Sequence, residues 1–421
     1  MKRLYSKKIE RRIEELTGVL QFNFRHIDGY GGWHQHLGSA KIGIVATAMG
    51  LLFYKAIAKE CPEVDICLSF LKSKVLNDGG WSYISNASDR SNVESTCWAL
   101  LALNSYRDIA DADAIIEKGI EWLYNSIDTT NNDNGWSFSA TPKPRIYLTA
   151  FALRTLYQLN KTDSPKFEAA KHWLINAQNI DGGWGATPEE ASNLFFTCYT
   201  ISTLLRIGQN RKSREIKNAD RWLKGRFKDI DMSDPSLVCY LEFIEDGNDR
   251  NRVRVPFFHF VLPHIIETFI ELDWNNHQLF DSTYSLFLKS DEGYIEHPDL
   301  ENSRIYPIWA LYDTGIAFLN FKKSRGASWK KNTSYVCYLN RIFPIQNFNP
   351  LKLLIIIPNW LWSVFVFFGV VFFVFHFGLE ILNWWNGLVN QTLGQIIISF
   401  IASVLYGGCI WLFGFLKKKF V

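Results

Sequence analysis

The sequence predicts an all-α chain in which six helical hairpins close into a ring, followed by two membrane-spanning helices. Three observations carry that prediction. A glycine-rich turn with an aromatic residue recurs roughly every 50 residues, the period of stacked repeat units. Its copies are Gly31 to Trp33, Asp78 to Trp81, Asp133 to Trp136, Asp181 to Trp184 and Asp291 to Tyr294, with a double interval before the last, so the fifth of six units lacks a recognisable turn. Each turn stands between two helix-period patterns, one amphipathic and one apolar nearly all round. Beyond about residue 353, two long stretches carry no charged residue.

The first pattern, residues 6 to 24, places Ile9, Ile13, Leu16 and Leu20 on one face and Arg and Glu on the other. In later units the first helix ends in an aromatic-Leu pair: Phe70-Leu71, Trp122-Leu123, Trp173-Leu174, Trp222-Leu223 and Phe287-Leu288. After the turn come Thr47-Ala-Met-Gly-Leu51, Thr96-Cys-Trp-Ala-Leu100, Thr149-Ala-Phe-Ala-Leu153, Thr197-Cys-Tyr-Thr-Ile201 and Pro307-Ile-Trp-Ala-Leu311. Helices apolar on every side belong inside, and amphipathic ones face solvent. Alternating outer and inner helices, six times, close a ring. Unit five is irregular: an outer helix near 211 to 226, an insert with Asp229, Asp231 and the charged Glu245 to Arg254 run, then an inner helix near 256 to 272. The insert reads as a surface loop.

Composition bounds the function classes. The 421 residues and 48% hydrophobic content allow a large core, and aromatics are abundant, with 16 Trp. A formal net charge of +3 from 45 basic and 42 acidic residues, without a basic stripe, implies no nucleic-acid polymer as partner. The seven cysteines are scattered, odd in number and without a Cys-x-x-Cys pair, which fits a reducing compartment and neither a disulfide framework nor a zinc knuckle. Met1 to Lys8 leads into a charged amphipathic helix, which is no secretory leader.

With Gln178, Trp173-Leu174, Asp181 to Trp184 and Glu94 to Leu103 in view, residues 6 to 322 resemble the terpenoid cyclase and protein prenyltransferase superfamily, notably the QW repeats of squalene-hopene-type cyclases. The resemblance implies an (α/α)6 toroid whose central cavity takes isoprenoid chains. It also supplies two chemical templates. Cyclases of the protonating class use Asp-x-Asp-Asp; the nearest strings, Asp111-Ala-Asp113 and Asp229-Ile-Asp231, lack the adjacent pair. Prenyltransferase zinc sites use Asp-x-Cys with a His, but Ser95 and Phe196 stand at the corresponding positions, so Cys97 and Cys198 read as buried small residues and no metal or cofactor is expected. The recurring Asp78, Asp133, Asp181 and Asp291 read as turn and helix caps, since one active site does not occur four times.

Two sets of residues stand out as candidate binding groups. Six positions before the inner-helix threonines lie Lys41, Arg90 and Lys143, with Arg145 close by and Arg304 in the last unit. Cations beside helix N-termini suit an anionic ligand at the ring mouth. If first and last units meet, His34 and His36 approach His297 and Glu301 at the seam, a candidate acid/base cluster. His259 and His264 read as core histidines on an apolar helix.

After residue 322 the chain turns basic, and residues 323–350 read as a linker to a transmembrane hairpin over 351–421, with spans about 353–377 and 392–416, long enough to cross a bilayer. Lys352 and Lys417 to Lys419 flank the spans, while the intervening loop holds Glu380 and Trp384-Trp385, so both termini are expected on the cytoplasmic side. Ser399, Ser403 and Gly407 form a small-residue face for packing within the hairpin or between protomers. Three functions fit: a membrane-anchored toroid binding an isoprenoid-like or anionic small molecule without turnover, favoured by the missing catalytic motifs; a divergent cyclase or prenyltransferase; and a ligand-gated membrane effector whose hairpin oligomerises.

Overall fold

The computed structural model describes residues 2–37, 39–83, 90–128, 133–138, 143–228, 237, 239–246, 253–274 and 306–325. All lie in the first of two compact units, Met1–Lys331 and Asn332–Val421. The proposed spans, and the face of Ser399, Ser403 and Gly407, fall outside the described residues. Among the described residues, no helix is long and apolar enough to cross a membrane.

The chain opens with α1 (Lys2–Phe22), β1 (Arg25–Ile27), β2 (Tyr30–Gly32) and β3 (His36–Leu37), followed by α2 (Ile44–Ala56), α3 (Val64–Ser73) and α4 (Val93–Ser105). Then come α5 (Arg107–Ala110), α6 (Asp113–Asn125), α7 (Ile146–Gln158), α8 (Pro165–Asn176), α9 (Leu194–Arg206) and α10 (Arg214–Lys228). The described part ends with β4 (Cys239–Asp246), β5 (Val253–Phe260), α11 (Val261–Glu271), β6 (Tyr306–Pro307) and α12 (Ile308–Arg325). Six helices, α2, α4, α7, α9, α11 and α12, touch in sequence, and α12 returns to α2. That cycle is the inner wall of a helical α/α toroid. The amphipathic α1, α3, α6, α8 and α10 form the described part of its outer layer; on α1, Ile9, Ile13, Leu16 and Leu20 are buried as their spacing predicts.

The repeated turn wires each unit together with the same two bonds. The turn tryptophans Trp33, Trp81, Trp136 and Trp184 are all fully buried. Their backbone N–H groups donate to the inner-helix hydroxyls of Thr47, Thr96, Thr149 and Thr197 at 2.9 to 3.3 Å. Their indole N–H groups donate to the carbonyls of Leu20, Leu71, Leu123 and Leu174, which end the outer helices, at 2.8 to 2.9 Å. Threonine and leucine therefore recur because each turn tryptophan needs one acceptor on each helix.

The turn carboxylates join neighbouring units. Asp181 accepts from the Gly183 N–H at 3.0 Å, the Ser192 hydroxyl at 2.6 Å and the Trp222 indole of the next outer helix at 3.0 Å. Asp78 repeats this with Gly80, Ser91 and Trp122, and Asp133 accepts from Trp173. Asp78 and Asp181 cap their own turns as expected, while Asn92 and Asn193 rather than the turn carboxylates cap the starts of α4 and α9, and Asp291 lies outside the described residues. Gly182 has φ +97°, and a Cβ there would sit 2.7 Å from the Asn218 carbonyl oxygen of the adjacent outer helix, so no other residue allows this approach.

The ring closes at a two-stranded seam. His36 pairs with Pro307 and Leu37 with Tyr306, and the Ile308 N–H donates to the Gln35 carbonyl at 2.9 Å.

Unit five corrects the sequence reading. The insert expected as a surface loop contains an antiparallel hairpin, β4 with β5, in register from Cys239↔Phe260 to Asp246↔Val253. The inner helix begins at Val261 and His259 stands on β5 rather than on a helix. Pro256, opposite Phe243, interrupts the alternating Val253-Arg-Val255 pattern, and a proline within a run argues against a strand when read from sequence alone.

Candidate functional site

The inner helices are sealed on most sides, yet each carries one stripe of residues with measurable exposure. On α4 the stripe is Glu94, Trp98 and Leu101, each 7% exposed, while Cys97, Ala99 and Leu100 are at zero. Tyr147, Phe151 and Arg154 repeat that i, i+4, i+7 spacing on α7. Stripes on successive helices of a closed cycle face its axis, the lumen of the ring. Its wall is an aromatic arc: Trp98 meets Tyr312 with ring centroids 5.2 Å apart and Phe151 at 4.8 Å, and Tyr147 meets Phe151 at 6.0 Å and Tyr199 at 5.1 Å.

Glu94 is the one carboxylate in the first turn of a described inner helix. The Tyr83 hydroxyl donates to one carboxylate oxygen and the Tyr147 hydroxyl to the other, the latter at 3.1 Å. Burial pushes its pKa up to about 7, against the hydrogen bonds from Tyr83 and Tyr147 that favour the charged form. The arrangement is a carboxylic acid able to carry or release a proton near neutrality, set in an aromatic wall. Because the folded pKa lies above the ordinary carboxylate value, this group's contribution to stability is complete below about pH 4.5 and is lost as pH rises through about 7. Glu94→Gln is therefore expected to gain about 3 kcal/mol relative to the parent between those limits, measured by denaturant unfolding at pH 4.5 and 8. Parallel pH curves for the two proteins would remove the titrating acid.

The β4–β5 hairpin covers the lumen beside the N-termini of α7 and α9. Glu242 on β4 is ion-paired with Arg145, which caps α7, and lies 2.8 Å from His259 Nε2. The His259 ring stacks on Phe195 at 4.0 Å and meets Tyr147 edge-on at 5.3 Å, and Tyr240 meets Phe196 at 5.6 Å. Burial works to raise the Glu242 carboxyl, but His259 and Arg145 hold it below its ordinary value. Burial lowers His259, opposed by Glu242.

Toward the C-terminal ends of the inner helices the wall becomes charged. Arg206 on α9 contacts Glu267 and Glu271 of α11, each at 3.1 Å. The Asn320 amide donates to Glu267 at 2.7 Å. His264 Nε2 lies 3.5 Å from Asp313 of α12, and the Arg154 guanidinium sits 5.0 Å over the Tyr199 ring. Burial works against the Glu267 charge, but Arg206, Arg154 and His264 together hold its pKa at about 2.

The residues singled out from the sequence are placed as follows. Lys41 and Arg90 are exposed, Lys143 is exposed 3.5 Å from Glu189, and Arg145 is engaged by Glu242. At the seam the His36 N–H donates to His34 Nδ1 at 3.2 Å, and the His36 ring meets Trp309 at 5.5 Å. Burial, with Lys41 nearby, lowers the His34 imidazole. Arg304, His297 and Glu301 lie outside the described residues. Asp113 pairs with Arg107 at 2.6 Å at the start of an outer helix. Cys97 and Cys198 are fully buried, and burial pushes both thiols up to about 12. Among the described residues, no three His, Cys, Asp or Glu side chains gather to hold a metal ion.

The sequence reading passed over Glu94, Tyr147, Glu242, Arg206 and Glu267. For Glu94 a signal existed: a carboxylate two residues before Thr96, where the other units carry Val45, Tyr147 and Phe195.

A family model described as "Prenyltransferase alpha-alpha toroid domain" matches residues 45–233. Together with the repeated wiring, it supports a helical α/α toroid fold over these residues. No curated protein matches. Among solved structures, the chain is similar to the type II terpene cyclase MstE from Scytonema in complex with merosterolic acid A, at 13% identity and TM-score 0.47 over 77% of this chain and 99% of that one. It is also similar to a family 76 glycoside hydrolase from a bovine Bacteroides thetaiotaomicron strain, at 12% identity and TM-score 0.47 over 77% and 79%. A third is ent-copalyl diphosphate synthase from Streptomyces platensis, at 16% identity and TM-score 0.32 over 45% of each chain.

Proposed function

We propose that the toroid binds an isoprenoid-like small molecule along its aromatic lumen, with Glu94 as the polar group that meets it. The observation carrying this is the placement of a protonatable acid, held by Tyr83 and Tyr147, in a wall of rings. Apolar walls with few fixed polar groups are what a small-molecule site requires. In the same proposal the C-terminal segment, with spans about 353–377 and 392–416, anchors the toroid in a bilayer with both termini cytoplasmic, where lipid-soluble ligands partition. Residues 323–350 link the two, and Ser399, Ser403 and Gly407 supply a face for hairpin packing or self-association.

A second reading has its own support. An acid with a pKa of about 7 is matched to proton transfer at neutral pH, so the toroid doubles as a divergent cyclase-type enzyme in which Glu94 protonates the bound molecule. Mass spectrometry of small molecules co-purifying with the full-length protein in detergent tests both. A polyprenyl compound is the expected result, and recovery of only nucleotides or polar metabolites would refute both readings. Conversion of the recovered compound by the parent but not by Glu94→Gln would then favour the enzyme over the binder.

A further inference from the structure

We infer that the corner of the toroid formed by the start of α1 and the end of α12 docks on an anionic lipid surface. The inference rests on the reading of residues 351–421 as a membrane anchor and adds the surface with which the helical ring meets lipid head groups.

No basic stripe is visible along the sequence, because its two halves lie at opposite ends of the toroid sequence and packing joins them. The first two turns of α1 hold Lys2, Arg3, Lys7 and Lys8, and α12 ends in Lys322, Lys323 and Arg325. Neither stretch, 2–8 or 322–325, contains an Asp or Glu. The two helices pack against each other, and two ties fix their relative direction. At one end the Leu20 carbonyl of α1 accepts from the Trp33 indole at 2.8 Å, and Gln35, two residues on, accepts from the first N–H of α12 at 2.9 Å. At the other end Lys322 Nζ lies 3.0 Å from Glu10 Oε1. The helices are therefore antiparallel, and the residues before Glu10 and after Lys322 extend beyond that tie toward the same rim. Both basic stretches thus end at one corner. Glu10 answers Lys322, while Arg11 and Arg12 are matched by Glu15 within α1, and Lys323 is exposed.

The positive charge continues in the sequence that follows this corner. Between Asp313 and Glu380 no Asp or Glu occurs, whereas Lys330, Lys331, Arg341 and Lys352 do, and the first uncharged stretch begins at about 353. Basic residues clustered on the cytoplasmic side of an apolar span attract anionic head groups, and salt screens the attraction. A compact corner beside such a stretch suits a lipid surface better than a nucleic acid, whose backbone calls for a longer positive track.

Amide hydrogen exchange of the full-length protein tests the inference, in nanodiscs of phosphatidylcholine with and without phosphatidylserine. Exchange over residues 2–12 and 320–325 is expected to slow at least about threefold in the discs with phosphatidylserine, and the difference to vanish in about 1 M salt. K7E/K8E is expected to abolish the difference. K41E/K143E, the same charge change placed before the starts of α2 and α7, is expected to retain it. Unchanged exchange in α4 and α7 shows that the ring of each variant is intact, and K323E/R325E gives the same readout should K7E/K8E fail to fold. Equal exchange in the two discs, or a difference that K41E/K143E removes as fully as K7E/K8E, overturns the inference while the anchor reading stands. Protection of the same residues by RNA in phosphatidylcholine discs overturns it in favour of a nucleic acid. Release of the parent from both bilayers by alkaline carbonate removes the anchor reading instead, and co-sedimentation with phosphatidylserine vesicles then decides the corner alone. Binding at least about tenfold weaker in K7E/K8E than in the parent supports the docking surface, and equal binding overturns it.

Discussion

Trp184→Ala is expected to destabilise the toroid by about 4 kcal/mol, the upper range for removing a buried aromatic side chain. The indole is fully buried, and its loss opens a void between inner helix α9 and outer helix α8. It also leaves the Leu174 carbonyl without its donor at 2.9 Å. The backbone bond to Thr197 survives, so the variant retains one of the two ties that the tryptophan makes. Chemical denaturation followed by far-ultraviolet circular dichroism reads the effect. Ile180→Ala, four residues away on a fully exposed side chain, is the matched control and is expected to change stability by less than about 0.5 kcal/mol. A Trp184→Ala protein as stable as this control would refute the wiring role of the turn.

Arg206→Met is expected to cost about 3–5 kcal/mol at neutral pH, because it leaves Glu267 and Glu271 without their shared cation. Glu267 is 5% exposed and cannot recover its hydration. The pH dependence separates this from simple loss of packing. With its folded pKa held at about 2, below the ordinary carboxylate value, Glu267 contributes stability that is present above about pH 4.5 and is lost as pH falls through about 2. The parent protein therefore weakens over that acid window, and Arg206→Met, already lacking the contribution, is expected to weaken less. Unfolding free energies at pH 7, 4 and 2.5 decide it; a constant difference between the two proteins would assign the loss to packing alone.

The repeat grammar was the most legible part of the chain. Turn tryptophans, inner-helix threonines and aromatic-Leu pairs recur in register because each makes the same bond in every unit, so periodicity reports them directly. The carboxylates Asp78, Asp133 and Asp181 were readable as fastenings for the same reason. Glu94 was not, since a residue that acts once leaves no period; it shows only as a departure from Val45, Tyr147 and Phe195 at the same register. The Glu242–His259 pair was missed for a different reason, although His259 itself reads as buried and is so. They meet through a strand pairing between segments separated by the charged 245–254 run, and the proline in β5 masked the alternation that would have announced it. Lys41, Arg90, Lys143 and Arg145 stand just before the starts of α2, α4 and α7, but nothing in the local pattern shows that Arg145 is answered by Glu242 from 97 positions away.

The seam has a consequence for how the chain reaches this shape. His36 and Leu37 find their partners only at Tyr306 and Pro307, so the first-made and last-made parts of the toroid must meet to complete it. Until α12 is synthesised, the preceding units form an open arc, and the side of α2 that α12 later covers stays uncapped at one free end. Units can assemble one after another on the ribosome through local contacts, whereas closure awaits pairings between the two ends of the unit. The nascent arc is thus the stage at which chaperones would meet exposed apolar surface, and a chain cut before residue 306 would lose its closing contact along with its last inner helix.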